Sequence, residues 1–170
     1  MGAWGAIIMS FFGALFAAMT LAWQFVWRGP ILALPFLVFA AIAIAAALVI
    51  RRPGEGVKPS AKAERVIMWS TIGEGVGLFL AANIVINLHR DALLLPAMAA
   101  VVGLHFLPIG FATGLRAFHM LGVALLAAAG VGFVLAAPLG GTVAGVAAAV
   151  ALWVAAIMAV RRDWVAKSPA

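Results

Sequence analysis

The chain contains no cysteine, and it has few charged residues of either sign. The absence of cysteine excludes disulfide bonds, thiolate metal sites and covalent haem attachment. Charged residues make up only 9% of the 170 residues, whereas hydrophobic residues make up 67%. No soluble domain of this length hides so much apolar surface, and long uncharged runs are typical of membrane-spanning helices. We therefore expect an all-α, polytopic bundle of transmembrane helices.

Acidic residues are especially scarce, since the whole chain has five Asp and Glu residues. Enzymes that use Mg²⁺ to transfer phosphoryl or lipid headgroups need a cluster of carboxylates, and the sequence has no such cluster. The GxSxG and HExxH motifs of hydrolases and zinc proteases are also absent. We therefore expect no enzyme activity, no catalytic residue, no cofactor and no metal ion.

Breaks in the apolar pattern divide the chain into six predicted spans. The last apolar run, 117–160, is long enough for two helices, and a turn at 138–142 separates them. The predicted spans, in a single membrane domain that covers residues 1–170, are approximately 4–27, 31–50, 66–88, 92–112, 117–137 and 142–160. Residues 51–65, which are rich in Pro, Gly and charge, form the predicted loop between the second and third spans.

Lys and Arg are distributed unevenly between the two ends of these spans. Nine of the 11 basic residues fall on the side of the N-terminus, the 51–65 loop, the 113–116 turn and the C-terminal tail. By the positive-inside rule, both termini and this loop should be cytoplasmic. The net charge of +6 therefore orients the chain in a membrane. We expect the lipid bilayer as its partner, and no nucleic acid.

Small residues recur at every fourth position in two of the predicted spans. They are Gly73, Gly77 and Ala81 in the third span, and Gly141, Gly145 and Ala149 in the sixth. Such faces let helix backbones approach closely, which is how helices associate in lipid. Packing within one chain is the first interpretation, and a homodimer through one of these faces is the alternative.

Two prolines, Pro96 and Pro108, flank His105 in the fourth predicted span. Each proline removes a backbone donor and can kink a helix, and such breaks are tolerated where neighbouring groups satisfy the freed carbonyls. We expect a kink or an unwound turn near Gly103–His105, with His105 facing into the bundle.

Glu74 is the only acidic residue well inside a predicted span. A carboxylate in hydrocarbon is costly, so it usually faces a bundle interior or a wet cavity and often has a function. At 1.5 Å per residue, Glu74 lies roughly 12 Å and His105 roughly 10 Å from the cytoplasmic ends of their spans. The candidate polar centre that results comprises Glu74, His105, His119, Arg116 and Ser70.

Three interpretations of this centre remain open. In the first, Glu74 binds a proton or cation in a transport path, with His105 or His119 as a relay. In the second, Glu74 is a structural anchor that pairs with Arg116 or a histidine, because burial of a charge requires a partner in either case. In the third, Glu74 and the two histidines form a metal site, although the spacing of the histidines carries no metal signature.

A second group of polar residues, Asn83, Asn87 and Gln24, lies toward the opposite side of the predicted membrane. These amides either line an outer vestibule or make hydrogen bonds between helices near the interface, as polar residues in spans commonly do. The spacing does not distinguish the two interpretations.

The segment Val101–Pro108, with the sequence VVGLHFLP, resembles one in small multi-span bacterial membrane proteins of uncharacterised function. Those proteins share a Gly-Leu-His-Phe-Leu-Pro motif or a near variant, often after a span with a Glu near its start, as Glu74 is here. The resemblance covers about residues 66–125 and implies a bacterial inner (plasma) membrane protein. It points to His105 and Glu74, and it implies no activity, cofactor or substrate.

These features together favour a small transporter or channel-like protein for an ion or small solute. The alternative is a membrane protein without transport activity, such as a subunit, a sensor or an assembly partner, in which the polar residues are structural. A cavity that reaches Glu74 would favour transport, and a dry, fully paired Glu74 would favour the alternative.

Overall fold

The computed structural model describes residues 2–54 and 59–168, and these residues form six long α-helices. The helices are α1 Ala3–Trp23, α2 Leu34–Arg51, α3 Ala61–Asn87, α4 Leu94–Thr113, α5 Arg116–Val134 and α6 Leu139–Ala166. Short 3₁₀ segments, Gly29–Ala33 and Asp91–Leu93, lead into α2 and α4. Each of the six is long and apolar enough to cross a membrane, so the prediction of an all-α protein with six apolar helices is confirmed.

Two helices, α3 and α6, extend several residues beyond their predicted spans because polar residues continue an apolar helix. α3 begins at Ala61, inside the predicted 51–65 loop, because the Ser60 side chain caps it by accepting a hydrogen bond from the Ala63 N–H at 3.2 Å. α6 continues through two arginines to Ala166. The loop is therefore shorter than predicted, and its residues 55–58 lie outside the described part of the chain.

α4 is a continuous helix from Leu94 to Thr113, so the prediction of an unwound turn at Gly103–His105 is wrong. Pro96 lies in the first turn, where the N–H that it lacks would have no partner within the helix. Pro108 lies inside the helix. The helix ends at Gly114, whose φ of 67° is a left-handed conformation that glycine adopts without strain.

The helices form two groups that meet along α6. α1 packs between α2 and α6, and α4 packs between α3 and α5, while α6 also contacts α4 and α5. α3 lies at the edge of the bundle, where it packs on α4 and on the 3₁₀ turn before α4. Two residues of α3, Ala63 and Val85, are buried.

Small residues allow the central helices to approach each other closely. Gly145 of α6 faces Thr20 of α1, and a Cβ at Gly103 of α4 would lie 3.0 Å from the carbonyl oxygen of Gly122 in α5. The small-residue face of the sixth span therefore packs within the chain. In α3 the face is only partly used, because Gly77 lies against α4 whereas a Cβ at Gly73 would meet no atom within 4 Å.

Polar contacts join the amino end of α1 to the end of α6. Asp163 is buried, and its Oδ2 accepts a hydrogen bond of 2.7 Å from the backbone N–H of Ala3. The amino end of a helix carries free N–H groups and a partial positive charge, so a carboxylate stabilises it.

The carboxyl end of α2 makes hydrogen bonds with Lys167, at the carboxyl end of α6. Lys167 Nζ donates hydrogen bonds of 3.1–3.2 Å to the backbone carbonyls of Val49, Ile50 and Arg52. The Arg52 guanidinium lies over the Trp164 ring, 3.1 Å from its centroid. We call Asp163, Lys167, Arg52 and Trp164 the end clamp. The end clamp brings together the amino end of α1 and the carboxyl ends of α2 and α6. In an up-and-down bundle with an even number of spans, these three ends lie on the same side.

Candidate functional site

Glu74 is the central residue of α3, a helix of 27 residues. Because the helix begins at Ala61, the carboxylate lies about 20 Å from the start of α3 at 1.5 Å per residue. It is therefore farther from the start of its helix than the predicted span boundary suggested. Its side chain is directed toward α4, where it meets His105.

Glu74 and His105 form a loose pair across the contact between α3 and α4. Glu74 Oε2 lies 3.7 Å from His105 Nδ1, and the two side chains are 10% and 8% exposed, respectively. This distance is too long for a hydrogen bond. Within the described part of the chain, the buried Nδ1 atom has no hydrogen-bond partner. In this part of the chain, one nitrogen of the His105 ring is thus left without a hydrogen bond beside the carboxyl group, which is unusual for a buried polar atom.

The His105 ring is positioned by its remaining neighbours. It lies against the backbone of Ser70, one turn before Glu74 on α3. Its edge also contacts the ring of Phe106, with centroids 4.9 Å apart. The expectation that His105 faces into the bundle agrees with this arrangement, and Ser70 contributes to the site through its backbone.

A cavity of about 230 Å³ adjoins the Glu74–His105 pair. Its polar lining comes from Glu74, His105 and Thr71. The other lining residues, from α1, α3, α4, α5 and α6, are Gly5, Ile8, Met9, Phe12, Gly75, Leu78, Val102, Phe106, Phe118 and Leu152. A concave, mostly apolar space with a few convergent polar groups is the usual form of a small-molecule site.

The cavity exists because α1 and α3 leave a space between them in front of α4. Gly5 of α1 and Gly75 of α3 both line this space, and a Cβ at Gly75 would meet no atom within 4 Å. Larger side chains at these positions would fill part of it. The absence of side chains at the two glycines therefore helps to keep the region in front of Glu74 open.

His119 lies away from the pair. It packs against Gly110 and Phe111 of α4, with its ring centroid 4.5 Å from that of Phe111. Its Nε2 is buried and has no hydrogen-bond partner among the described residues. Among residues 2–54 and 59–168, no three His, Asp or Glu side chains come close enough to hold a metal ion. The hypothesis of a metal site formed by Glu74 and both histidines is therefore not supported.

Arg116 is exposed at the first residue of α5, at the end of the bundle. Glu74 lies at the centre of α3, so the two charges are at different depths along the bundle. Among the described residues, the basic side chain within 4 Å of the Glu74 carboxyl group is His105. Of the two partners that the anchor hypothesis allowed, Arg116 or a histidine, the structure therefore has the histidine at Glu74.

The structure does not gather the predicted outer polar group into one site. Asn83 and Asn87 are exposed on α3, and their side-chain amides donate to carbonyls one turn earlier in their own helix, at 2.7 and 2.8 Å. Gln24 instead lies against Gly141 of α6. Each of the two asparagine amides therefore donates within α3 rather than to a neighbouring helix.

Sequence reasoning missed two features of the site and its scaffold. The aromatic wall formed by Phe106 and Phe118, whose rings stack at 5.9 Å, has no local sequence signal because the two residues come from different helices. Asp163 follows two arginines and resembles a residue of a polar tail. A signal was present, since Ala156, Ala159 and Asp163 continue the buried face of α6 at helical spacing.

Comparison of the chain with protein-family models, with curated proteins and with solved structures finds no match. The resemblance of the Val101–Pro108 segment to small bacterial membrane proteins stays a prediction. The site is defined by its geometry, in which a loosely paired Glu74 and His105 adjoin an otherwise apolar cavity.

Proposed function

We propose that the chain is a multi-pass protein of the bacterial inner membrane that transports an ion or small solute through a site at Glu74 and His105. The six apolar helices are compatible with a multi-pass membrane protein. The observation that supports transport is the cavity of about 230 Å³ at the pair. A purely structural ion pair would be expected to be closely packed and fully hydrogen-bonded.

The two side chains supply complementary chemistry. A carboxylate binds a proton or a cation, and an imidazole both accepts and donates protons near neutral pH. The Oε2–Nδ1 distance of 3.7 Å is about 0.8 Å longer than a good hydrogen bond. A small rotation of either side chain therefore makes or breaks a proton-transfer contact without repacking of the helices.

In the proposed orientation, the end clamp faces the cytoplasm. The basic residues that support this orientation include Arg51, Arg65 and Arg161, at the same end of the helices as the clamp. An excess of Lys and Arg in short segments beside the spans favours the cytoplasmic side.

A second candidate function, a subunit, sensor or assembly partner without transport activity, is favoured by the character of the remaining cavity wall. Apart from Thr71, Glu74 and His105, the residues that line it are apolar. A continuous aqueous path usually needs further polar groups along its length. In this alternative, the pair holds α3 against α4.

Proton flux tests the two candidates. We expect the parent protein in liposomes with an internal pH-sensitive dye to pass protons when valinomycin and a potassium gradient impose a membrane potential. Glu74→Gln keeps the shape but removes the titratable group, so flux should fall at least about tenfold, as expected for loss of a proton-transfer group. Glu64→Gln is the matched control, because Glu64 is exposed in the first turn of the same helix.

The thermal midpoint in detergent distinguishes a transport role from a structural one. Transport predicts that Glu74→Gln loses flux while its midpoint stays near that of the parent. A lowered midpoint, with parent flux no greater than that of empty liposomes, would overturn transport and support the structural alternative.

A further inference from the structure

The cavity at Glu74 is lined by one carboxyl group and three phenylalanine rings, and this lining indicates which class of solute it binds. We propose that it binds a lipophilic organic cation, an amine or quaternary ammonium compound whose charged nitrogen lies at Glu74 and whose apolar body lies against the phenylalanine rings. This inference deepens the proposed function by naming the solute. It rests on that function for the transport step, whereas binding itself is measured separately.

The charge of the solute follows from the lining residues. Among the residues that the structure describes, Glu74 and His105 are the only ionisable ones that line the cavity. When Glu74 is ionised and the imidazole is neutral, the cavity carries one negative charge, and His105 Nδ1, at 3.7 Å, is too far from the carboxylate to donate a hydrogen bond to it. A neutral apolar solute would leave the carboxylate unpaired in a low-dielectric space, and an anion would be repelled. A cation removes both costs.

The aromatic lining favours an organic cation over a metal ion. Phe12, Phe106 and Phe118 line the cavity, and the last two rings are nearly parallel, at 8°. Aromatic faces attract ammonium groups, most strongly where water is excluded. Hard metal ions need about six oxygen ligands. Here the lining side chains offer one carboxylate and the Thr71 hydroxyl.

Access is expected from the side of the bundle, between α1 and α3. Ile8 of α1 and Thr71 of α3 are both exposed, and both line the cavity. α3 lies at the edge and packs mainly on α4, so no other helix covers this opening in the described part of the chain. A compound with an apolar body partitions into the hydrocarbon and can reach such an opening directly.

Binding of two isosteric probes tests the charge requirement. Phenyltrimethylammonium and tert-butylbenzene have nearly the same shape, and only the first is charged. Titration calorimetry uses the full chain in lipid nanodiscs, with empty nanodiscs as the blank. We expect the parent to bind the ammonium probe at least about tenfold more tightly than the neutral one, as a buried charge pair with aromatic contacts would give. Glu74→Gln should remove this preference, and Glu64→Gln should keep it.

A second pair of variants tests the location without altering any charge. Gly75→Leu places a side chain in the cavity, whereas Gly73→Leu adds the same side chain to the same helix outside the cavity lining. At both positions, an added Cβ would meet no atom within 4 Å. Gly75→Leu should abolish binding of the ammonium probe, and Gly73→Leu should leave it unchanged. The pair remains informative even if Glu74→Gln fails to fold.

Three results would overturn the inference: equal binding of both probes by the parent, a cation preference that persists in Glu74→Gln, or equal effects of the two leucine variants. If proton flux depends on Glu74 but the ammonium probe shows no preference, the inference fails and the proposed function stands. If the probe binds as expected but no flux occurs, the cation site stands and the transport function fails.

Discussion

The α1–α2–α6 side of the bundle and helix α3 are held in the fold by different means. On the first side, Gly145 faces Thr20 at the contact between α6 and α1, and the end clamp ties three helix ends together. α3 has only two buried residues and packs mainly on α4. Close packing of small residues stabilises helices in lipid, where the hydrophobic effect does not drive them together.

This difference explains why the candidate site lies where it does. A site for a small solute needs open space and polar groups that are not already satisfied, and both conditions reduce stability. The space before Glu74 therefore occurs beside the least buried helix rather than within the α1–α6 contact. We infer that α1, α2 and α6 form the rigid scaffold, and that α3 is the element free to adjust around a solute.

The largest expected effect compares one substitution in the two regions. Gly145→Val would place a side chain against Thr20, which is 1% exposed, and against Leu95, so the free energy of unfolding should fall by about 3 kcal/mol. Gly73→Val adds the same side chain where no atom lies within 4 Å, and its effect should be below about 1 kcal/mol. Unfolding in mixed micelles with increasing SDS measures both. Equal losses would show that α3 is packed as tightly as α6.

Removal of a carboxylate gives the next largest difference. Asp163→Ala deletes the acceptor of the Ala3 N–H and leaves a buried donor unpaired, which should cost about 2 kcal/mol. Glu64→Ala removes an exposed carboxylate at the start of α3 and should cost no more than about 0.5 kcal/mol. Hydrogen exchange should locate the damage at the amino end of α1. Unchanged exchange there would contradict the capping role of Asp163.

The smallest expected effect concerns two lysines at opposite helix ends. Lys167→Met removes a cation that hydrogen-bonds to carbonyls at the carboxyl end of α2, so stability should fall by about 1 kcal/mol. Lys62 is exposed at the amino end of α3, where a cation is unfavourable, so Lys62→Met should be neutral or slightly stabilising, by less than about 0.5 kcal/mol. Thermal midpoints in the same detergent compare the two. A loss of similar size in both variants would mean that the clamp has no special role.

The helices were predictable because each one is specified by its own residues. In lipid, a helix satisfies its backbone hydrogen bonds internally, so an apolar run of about 20 residues is sufficient evidence for a span. Errors arose at the ends, where Ser60 caps α3 earlier than the apolar pattern indicated and where α6 extends to Ala166. The prediction of an unwound turn in α4 was wrong. It also depended on where the helix begins, because Pro96 lies in the first turn of α4.

The site was predictable only in part. The rarity of a carboxylate inside an apolar run singled out Glu74, and its depth made His105 a plausible neighbour. Depth along a helix says nothing about the direction in which a side chain points, so His119 and Arg116 were also predicted to belong to the polar centre. In the structure, His119 lies against Gly110 and Arg116 is exposed. The asparagines were expected to line a vestibule or to bond between helices, whereas their amides donate to Phe79 and Asn83 of the same helix.

The sequence by itself determined the six apolar helices, their order and the position of Glu74 within the third, because these depend on composition and helical rise along one segment. Only the tertiary structure decided that Glu74 pairs with His105, that phenylalanines from three helices line one cavity, and that Asp163 caps α1. Those contacts join residues far apart in the chain. They depend on the rotation of each helix about its axis and on how closely neighbouring helices pack. Small residues in several helices jointly determine both.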